Sequence, residues 1–112
     1  MKKIKPKISE SQLVSASLDL LRQLKFLAWR NQSGALLVNK KLIRLAPAGS
    51  PDIMFIAPPK GQLFGLELKV GRNTVTPMQK AFGSAMEAKG AIYAVIRSLD
   101  ELIDLLNKHK LI

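Results

Sequence analysis

The sequence predicts an α/β fold in which a mixed sheet of four to five strands is flanked by helices. Three observations carry this expectation: an apolar run and an alternating run joined by Pro58-Pro59-Lys60-Gly61, a strand–helix–strand passage from Glu67 through Ile96, and three Ser/Thr-x-x-Glu/Gln signatures that start helices. With 112 residues, the chain is long enough to close one core and too short for two. A single domain over residues 9–112 is expected, preceded by a basic arm over residues 1–8 in which Met1 to Lys7 carries four lysines and one proline.

The elements follow in chain order. Ser9 with Gln12 forms the first capping signature, and Leu13, Ala16, Leu20, Leu21 and Leu24 then recur at helical spacing. Phe26 to Asn31 and Ala35 to Arg44 read as short strands, broken by turns at Gln32-Ser33-Gly34 and Asn39-Lys40. Asp52 opens the apolar run Ile53-Met54-Phe55-Ile56-Ala57, a buried strand. From Gln62 to Val70 the pattern alternates, so Glu67 and Lys69 project from one face and Phe64, Leu66 and Leu68 from the other. Thr76 with Gln79, strengthened by Pro77, starts a second helix whose apolar positions are Met78, Ala81, Phe82, Ala85 and Met86, and Gly90 stops it. Ala91 to Ile96 is apolar throughout, as in a strand covered on both faces and joined to its neighbour by a parallel crossover. Ser98 with Glu101 starts a third helix, with Leu99, Leu102, Ile103 and Leu106 inward. Trp29 and Phe82 belong to the core on this reading, and His109 is a solvated residue of the last helix.

Composition narrows the partners. Eighteen Lys and Arg against eight Asp and Glu give a formal charge of +10, which favours polyanions such as nucleic acid. The absence of cysteine excludes disulfides and thiolate zinc sites and agrees with a reducing cytoplasm. No apolar run approaches the roughly 20 residues that span a bilayer, and the N-terminus lacks the apolar core of a signal peptide, so a soluble intracellular protein without a membrane partner is expected.

The capacity for chemistry concentrates in Gly49-Ser50-Pro51-Asp52, Glu67-Leu68-Lys69 and Gln79. A hairpin turning at Pro59-Lys60 sets Asp52 directly opposite Glu67, with Cβ atoms about 4.5–5.5 Å apart. Two facing carboxylates repel unless a cation or a raised pKa relieves them, which points to a hard divalent ion held by oxygen, with Lys69 alongside. Mg²⁺ or Mn²⁺ suits such ligands, and with His109 the one histidine, zinc does not.

Gly49-x-Pro51-Asp52, Glu67-x-Lys69 and the downstream Gln79 together resemble the PD-(D/E)XK nuclease superfamily and, within it, the virus-type replication-repair (VRR-NUC) nucleases, small stand-alone domains of phages and bacteria. Trp29-Arg30-Asn31 with Gly34 resembles that family's segment after the first helix, and the likeness runs from Glu10 to Ser98-Leu99-Asp100-Glu101. The resemblance implies a restriction-endonuclease-like core. It also implies that Asp52 and Glu67 bind the metal with the Leu68 carbonyl as a further ligand, that Lys69 orients or activates the attacking water, that Gln79 shapes the site, and that Glu10 adds a more distant acid. It further implies a homodimeric, structure-selective endonuclease acting on branched DNA such as Holliday junctions.

Each assignment has a plainer counterpart. The capping box alone explains Gln79, and the helix macrodipole alone explains Glu10. Arg30, Arg44, Gly49, Ser50, Arg72, Asn73 and Lys80 are candidates for contact with the nucleic acid, Arg72 and Asn73 foremost because they follow the Glu67–Lys69 strand directly. The alternative function is a basic nucleic-acid binding module without catalysis, for which carboxylates facing phosphates bring no benefit.

Overall fold

The computed structural model describes residues 7–31 and 34–112. The expected turn at Gln32-Ser33 and the arm over Met1–Pro6 lie outside the described residues. Nine elements follow one another: α1 (Glu10–Gln23), β1 (Leu27–Arg30), β2 (Ala35–Val38), β3 (Lys41–Arg44), β4 (Ile53–Ala57), β5 (Gln62–Leu68), α2 (Pro77–Ala88), β6 (Ile92–Ile96) and α3 (Leu99–Lys108). Four strands form one sheet in the order β1-β4-β5-β6, antiparallel except for the parallel β5–β6 pair, so the expected mixed sheet and crossover are both present.

Local sequence explains where the helices begin. Ser9 and Thr76 each accept the N–H of the residue three further on, while Gln12 and Gln79 return a side-chain oxygen to the cap N–H. The third box closes only halfway. Ser98 accepts from the Glu101 N–H, but Glu101 Oε1 takes the Arg97 N–H at 3.1 Å instead of that of Ser98. Gly90, at φ +90°, follows the end of α2, a left-handed position that glycine occupies without strain.

The β4–β5 ladder runs from Ile53↔Leu66 to Ala57↔Gln62, the register that a turn centred on Pro59-Lys60 demands, although the loop spans Pro58 to Gly61. Alternation along β5 then divides the sheet. Phe64, Leu66 and Leu68 join Leu13, Val14 and Leu21 of α1 and Leu102 and Leu106 of α3 in the core, where Phe55 stacks on Phe64 at 4.5 Å and meets the tilted ring of Phe26 at 5.3 Å. Gly65 and Glu67 face the other way. A Cβ at Gly65 would stand 2.7 Å from the Met86 side chain, so α2 lies close on that second face.

Several expected core positions are exposed. Leu24, Met78, Ala81, Ala85, Leu99 and Ile103 face solvent because each helix buries a narrower stripe than its apolar residues allow, with Val14, Ser17 and Gly83 buried in addition. Trp29 is 39% exposed, on the edge strand β1. β6 is half-covered rather than enclosed, because it forms the opposite edge. His109 is half-buried with its ring edge-on to Phe64 at 5.2 Å, so it packs rather than being simply solvated.

β2 and β3 stand apart as a two-stranded ribbon turned by Asn39 and Lys40, both at positive φ. Leu36 pairs with Ile43 on one face and Leu37 with Leu42 on the other, and both faces are exposed. No helix among the described residues is long and apolar enough to cross a membrane.

Candidate active site

The β4–β5 ladder stops one pair short of Asp52 and Glu67, and the chain bends there in a way that aims Asp52 inward. The Asp52 N–H is given to the Leu66 carbonyl at 3.0 Å, the residue that Ile53 already pairs with. Its carboxylate then accepts the Leu68 N–H, Oδ2 at 2.8 Å, while its carbonyl takes the Asn31 N–H at 2.7 Å. The segment before it is held as firmly. Asn31 Nδ2 donates to Ser50 Oγ at 3.0 Å and to the Pro51 carbonyl at 2.9 Å. Gly49, at φ +83°, passes so close to α2 that a Cβ would lie 2.6 Å from the Met78 carbonyl oxygen.

β5 supplies the second acid, and Lys69, the residue that follows it, supplies the amine. Glu67 is 1% exposed and Lys69, on the same strand face, 8%. Gln79 joins helix and sheet through the two ends of one amide: Oε1 caps the Thr76 N–H at 2.9 Å and Nε2 donates to Glu67 Oε1 at 3.0 Å. Gln79 therefore caps α2 and also touches Glu67. The other oxygen, Glu67 Oε2, is buried without a hydrogen-bond donor, and the Asp52 carboxyl is near enough for its charge to act on Glu67.

The electrostatics follow from that placement. Burial first, then the neighbouring Asp52 carboxyl, push the Glu67 carboxyl up to about 8, with Lys69 opposing and Glu10 adding to the rise. Glu10 thus belongs to the field of the site from the first turn of α1. Among the described residues no three His, Cys, Asp or Glu side chains converge, so Glu10 is not a third ligand of one cluster. A donor-free buried carboxyl oxygen next to a second carboxyl offers hard oxygen donors of the type that Mg²⁺ or Mn²⁺ takes. In a strand a residue's N–H and C=O point to the same side; the Leu68 N–H serves Asp52, so its carbonyl leaves toward Asp52 beyond the last paired residue of β4.

Sequence reasoning missed two contributors. Asn31 stands out in sequence only within Trp29-Arg30-Asn31, yet its amide fixes the bend that carries Asp52. Tyr93 lies beside Gly65 on β6, its ring against Gly83 of α2 and its hydroxyl buried without a partner. Burial, then the charges of Glu67 and Asp52, push this phenol up to about 12. No local signal marks either residue, since each acts through a neighbour distant in sequence.

The expected nucleic-acid contacts divide. Arg30, Arg44, Arg72, Asn73 and Lys80 are exposed at the end of β1, the end of β3, the turn after β5 and the outer side of α2. Ser50 is a correction: it is 3% exposed and its hydroxyl is engaged by Asn31, so it braces the loop instead of reaching a phosphate. The bare backbone of Gly49 is used for contact with α2.

No family model matches the chain, and no curated protein matches it in sequence. Among solved structures, one described as a VRR_NUC domain matches with a TM-score of 0.65 and 22% identity, covering 89% of this chain and 95% of that chain. The chain has the fold of a VRR_NUC domain, a mixed four-stranded sheet flanked by helices.

Proposed function

We propose that this chain is a divalent-metal-dependent DNA endonuclease of the VRR-NUC kind. The observation that carries the reading is the buried Glu67 carboxylate, one oxygen held by Gln79 and the other without a donor, beside Asp52 and on the strand face of Lys69. Asp52, Glu67 and the Leu68 carbonyl would hold Mg²⁺ or Mn²⁺, which when bound supplies a nucleophile at neutral pH and offsets negative charge on a phosphodiester. Lys69 orients the attacking water and stabilises the charge that grows on the phosphoryl oxygens. The water oxygen bonds to phosphorus, one ester P–O bond breaks, and the departing oxygen leaves with a proton. Gln79 keeps Glu67 facing the cation, and Glu10 adds negative potential from α1.

Arg30, Arg44, Arg72, Asn73 and Lys80 are the exposed residues that would follow the DNA backbone. Branched DNA, Holliday junctions included, is the substrate class implied by the family resemblance. The test is cleavage of a labelled panel of junctions, forks, flaps and duplex with each metal, alongside calorimetric titration of the protein with Mg²⁺ and Mn²⁺. Metal binding with cleavage is expected. Absence of both would favour the second reading, a nucleic-acid binding module, to which the convergence of only two carboxylates lends its one support.

A homodimer belongs to the same proposal, because paired cuts across a symmetric junction need two equivalent sites, which a C2 dimer supplies. What supports it is the β2–β3 ribbon. Leu36, Leu37, Val38, Leu42, Ile43 and Leu45 are 44–73% exposed, and a lone two-stranded ribbon is marginal in water. Six such side chains supply a large share of the roughly 800 Å² that each partner gives to a standard interface. Light scattering is expected to find a dimer that Leu37→Asp with Leu42→Asp converts to a monomer. A monomeric wild type at micromolar concentration would remove the dimer.

A further inference from the structure

Beyond the acid pair, the C-terminal end of the sheet carries a second group of charges. The parallel register that pairs Leu68 with Ile96, together with the Lys69 N–H donated to the Ile96 carbonyl at 3.0 Å, sets Arg97 beside Lys69. Strands lie about 4.8 Å apart, so Arg97, the residue after β6, stands next to Lys69 at the end of the sheet. Arg97 does not extend freely. Its Nη1 donates to the Gly71 carbonyl at 3.3 Å, which holds one edge of the guanidinium against the turn after β5. Its backbone N–H is taken by Glu101 Oε1, the acid nearest in the following helix.

This arrangement borders an open surface hollow of about 350 Å³ lined by Lys7, Ile8, Val70, Gly71 and Arg97. Two cations and no carboxylate line it, and Ile8 and Val70 give it an apolar side. Gly71, at φ +58°, has open space where a side chain would begin, so the turn leaves the hollow unfilled. A planar guanidinium, already oriented, next to an ammonium suits a phosphate, and the apolar wall suits the sugar attached to it.

We propose that this hollow seats a backbone phosphate of the substrate strand neighbouring the scissile one, with Arg97 and Lys7 as its ligands. The assignment rests on the nuclease reading for its orientation relative to the cut, and deepens it: the strand is gripped on the β6 side of Lys69, so the enzyme registers the chain by a phosphate it does not cleave.

The test measures oligonucleotide binding by fluorescence anisotropy in EDTA, where no cleavage occurs, with wild type, Arg97→Ala, Arg97→Lys and Lys7→Ala. A set of oligonucleotides in which each phosphodiester in turn is replaced by a neutral methylphosphonate completes the cycle. Arg97→Ala is expected to weaken binding on the order of tenfold, Arg97→Lys by less, and each lost cation to reduce the salt slope by about 1. One methylphosphonate position should weaken wild type yet leave Arg97→Ala unaffected, and where cleavage occurs that position should flank the cut. Binding by Arg97→Ala equal to wild type, or additive losses at every position, overturns the proposal, as does a wild type that binds no DNA. Loss of cleavage with the coupled position retained would instead remove the nuclease reading and leave the phosphate site standing.

Discussion

Lys69→Ala is expected to lower the cleavage rate by about 10³-fold while DNA binding changes by no more than a few-fold, the range seen when one preorganised charge-stabilising group is removed. The side chain is 8% exposed and shares a strand face with a buried acid, so its charge acts where water screens it little. That charge also opposes the rise of the Glu67 carboxyl, so its removal leaves Glu67 holding its proton more tightly and less ready to take a cation. Lys69→Arg should not restore activity, because a planar fork does not fit the space of a compact ammonium. Asp52→Ala is expected to be as severe, since it removes one of the two acids and frees the Leu68 N–H that Asp52 accepts. Quench-flow or gel assays with Mn²⁺ measure both. Near wild-type cleavage by either variant, with unchanged circular dichroism, would mean that the acid pair and its amine do not perform the chemistry.

Glu67→Gln should abolish cleavage and make the metal-free protein more stable at pH 8. The folded protein holds the Glu67 proton up to about pH 8, against an ordinary value of 4.5, so folding favours the protonated acid. Its contribution is fully present below pH 4.5 and is lost as pH rises from there to about 8, because the folded state binds the extra proton only within that window. Glutamine has the shape of the protonated acid: its oxygen can still accept from Gln79, and its amide can donate toward Asp52. In thermal unfolding with a chelator, the melting temperature of wild type should therefore fall between pH 5 and 8 more than that of Glu67→Gln. Added Mg²⁺ or Mn²⁺ should restore wild type at pH 8 and do little for the variant. Parallel pH profiles for the two proteins would show that the two acids do not strain the fold.

Parts of the candidate site are legible in the chain and parts are not. The β4–β5 register follows from alternation and one turn, and it brings Asp52 and Glu67 to neighbouring positions. The caps at Ser9 and Thr76 were legible for the same reason, since a hydroxyl and an amide three residues apart interact within one helical turn. Gln79 was legible only as a cap. That its amide also reaches Glu67 depends on where α2 lies over the sheet, which Gly49, Gly65 and Gly83 allow by leaving no side chain in the way.

Periodicity and short-range hydrogen bonding are properties of ten or fewer consecutive residues, so the chain alone determined the elements, their order, the hairpin register and the three motifs of the site. Burial depends on what packs above a residue, and that partner comes from elsewhere in the chain. Tertiary structure alone therefore decided that Glu67 is enclosed while Met78 and Leu99 are not, that Asn31 and Tyr93 join the site, that Ser50 is a brace, and that Arg97 stands beside Lys69. The physical reason is that the free energy of a carboxylate or a leucine is set by the dielectric and the neighbours that surround it, neither of which is encoded next to it in sequence.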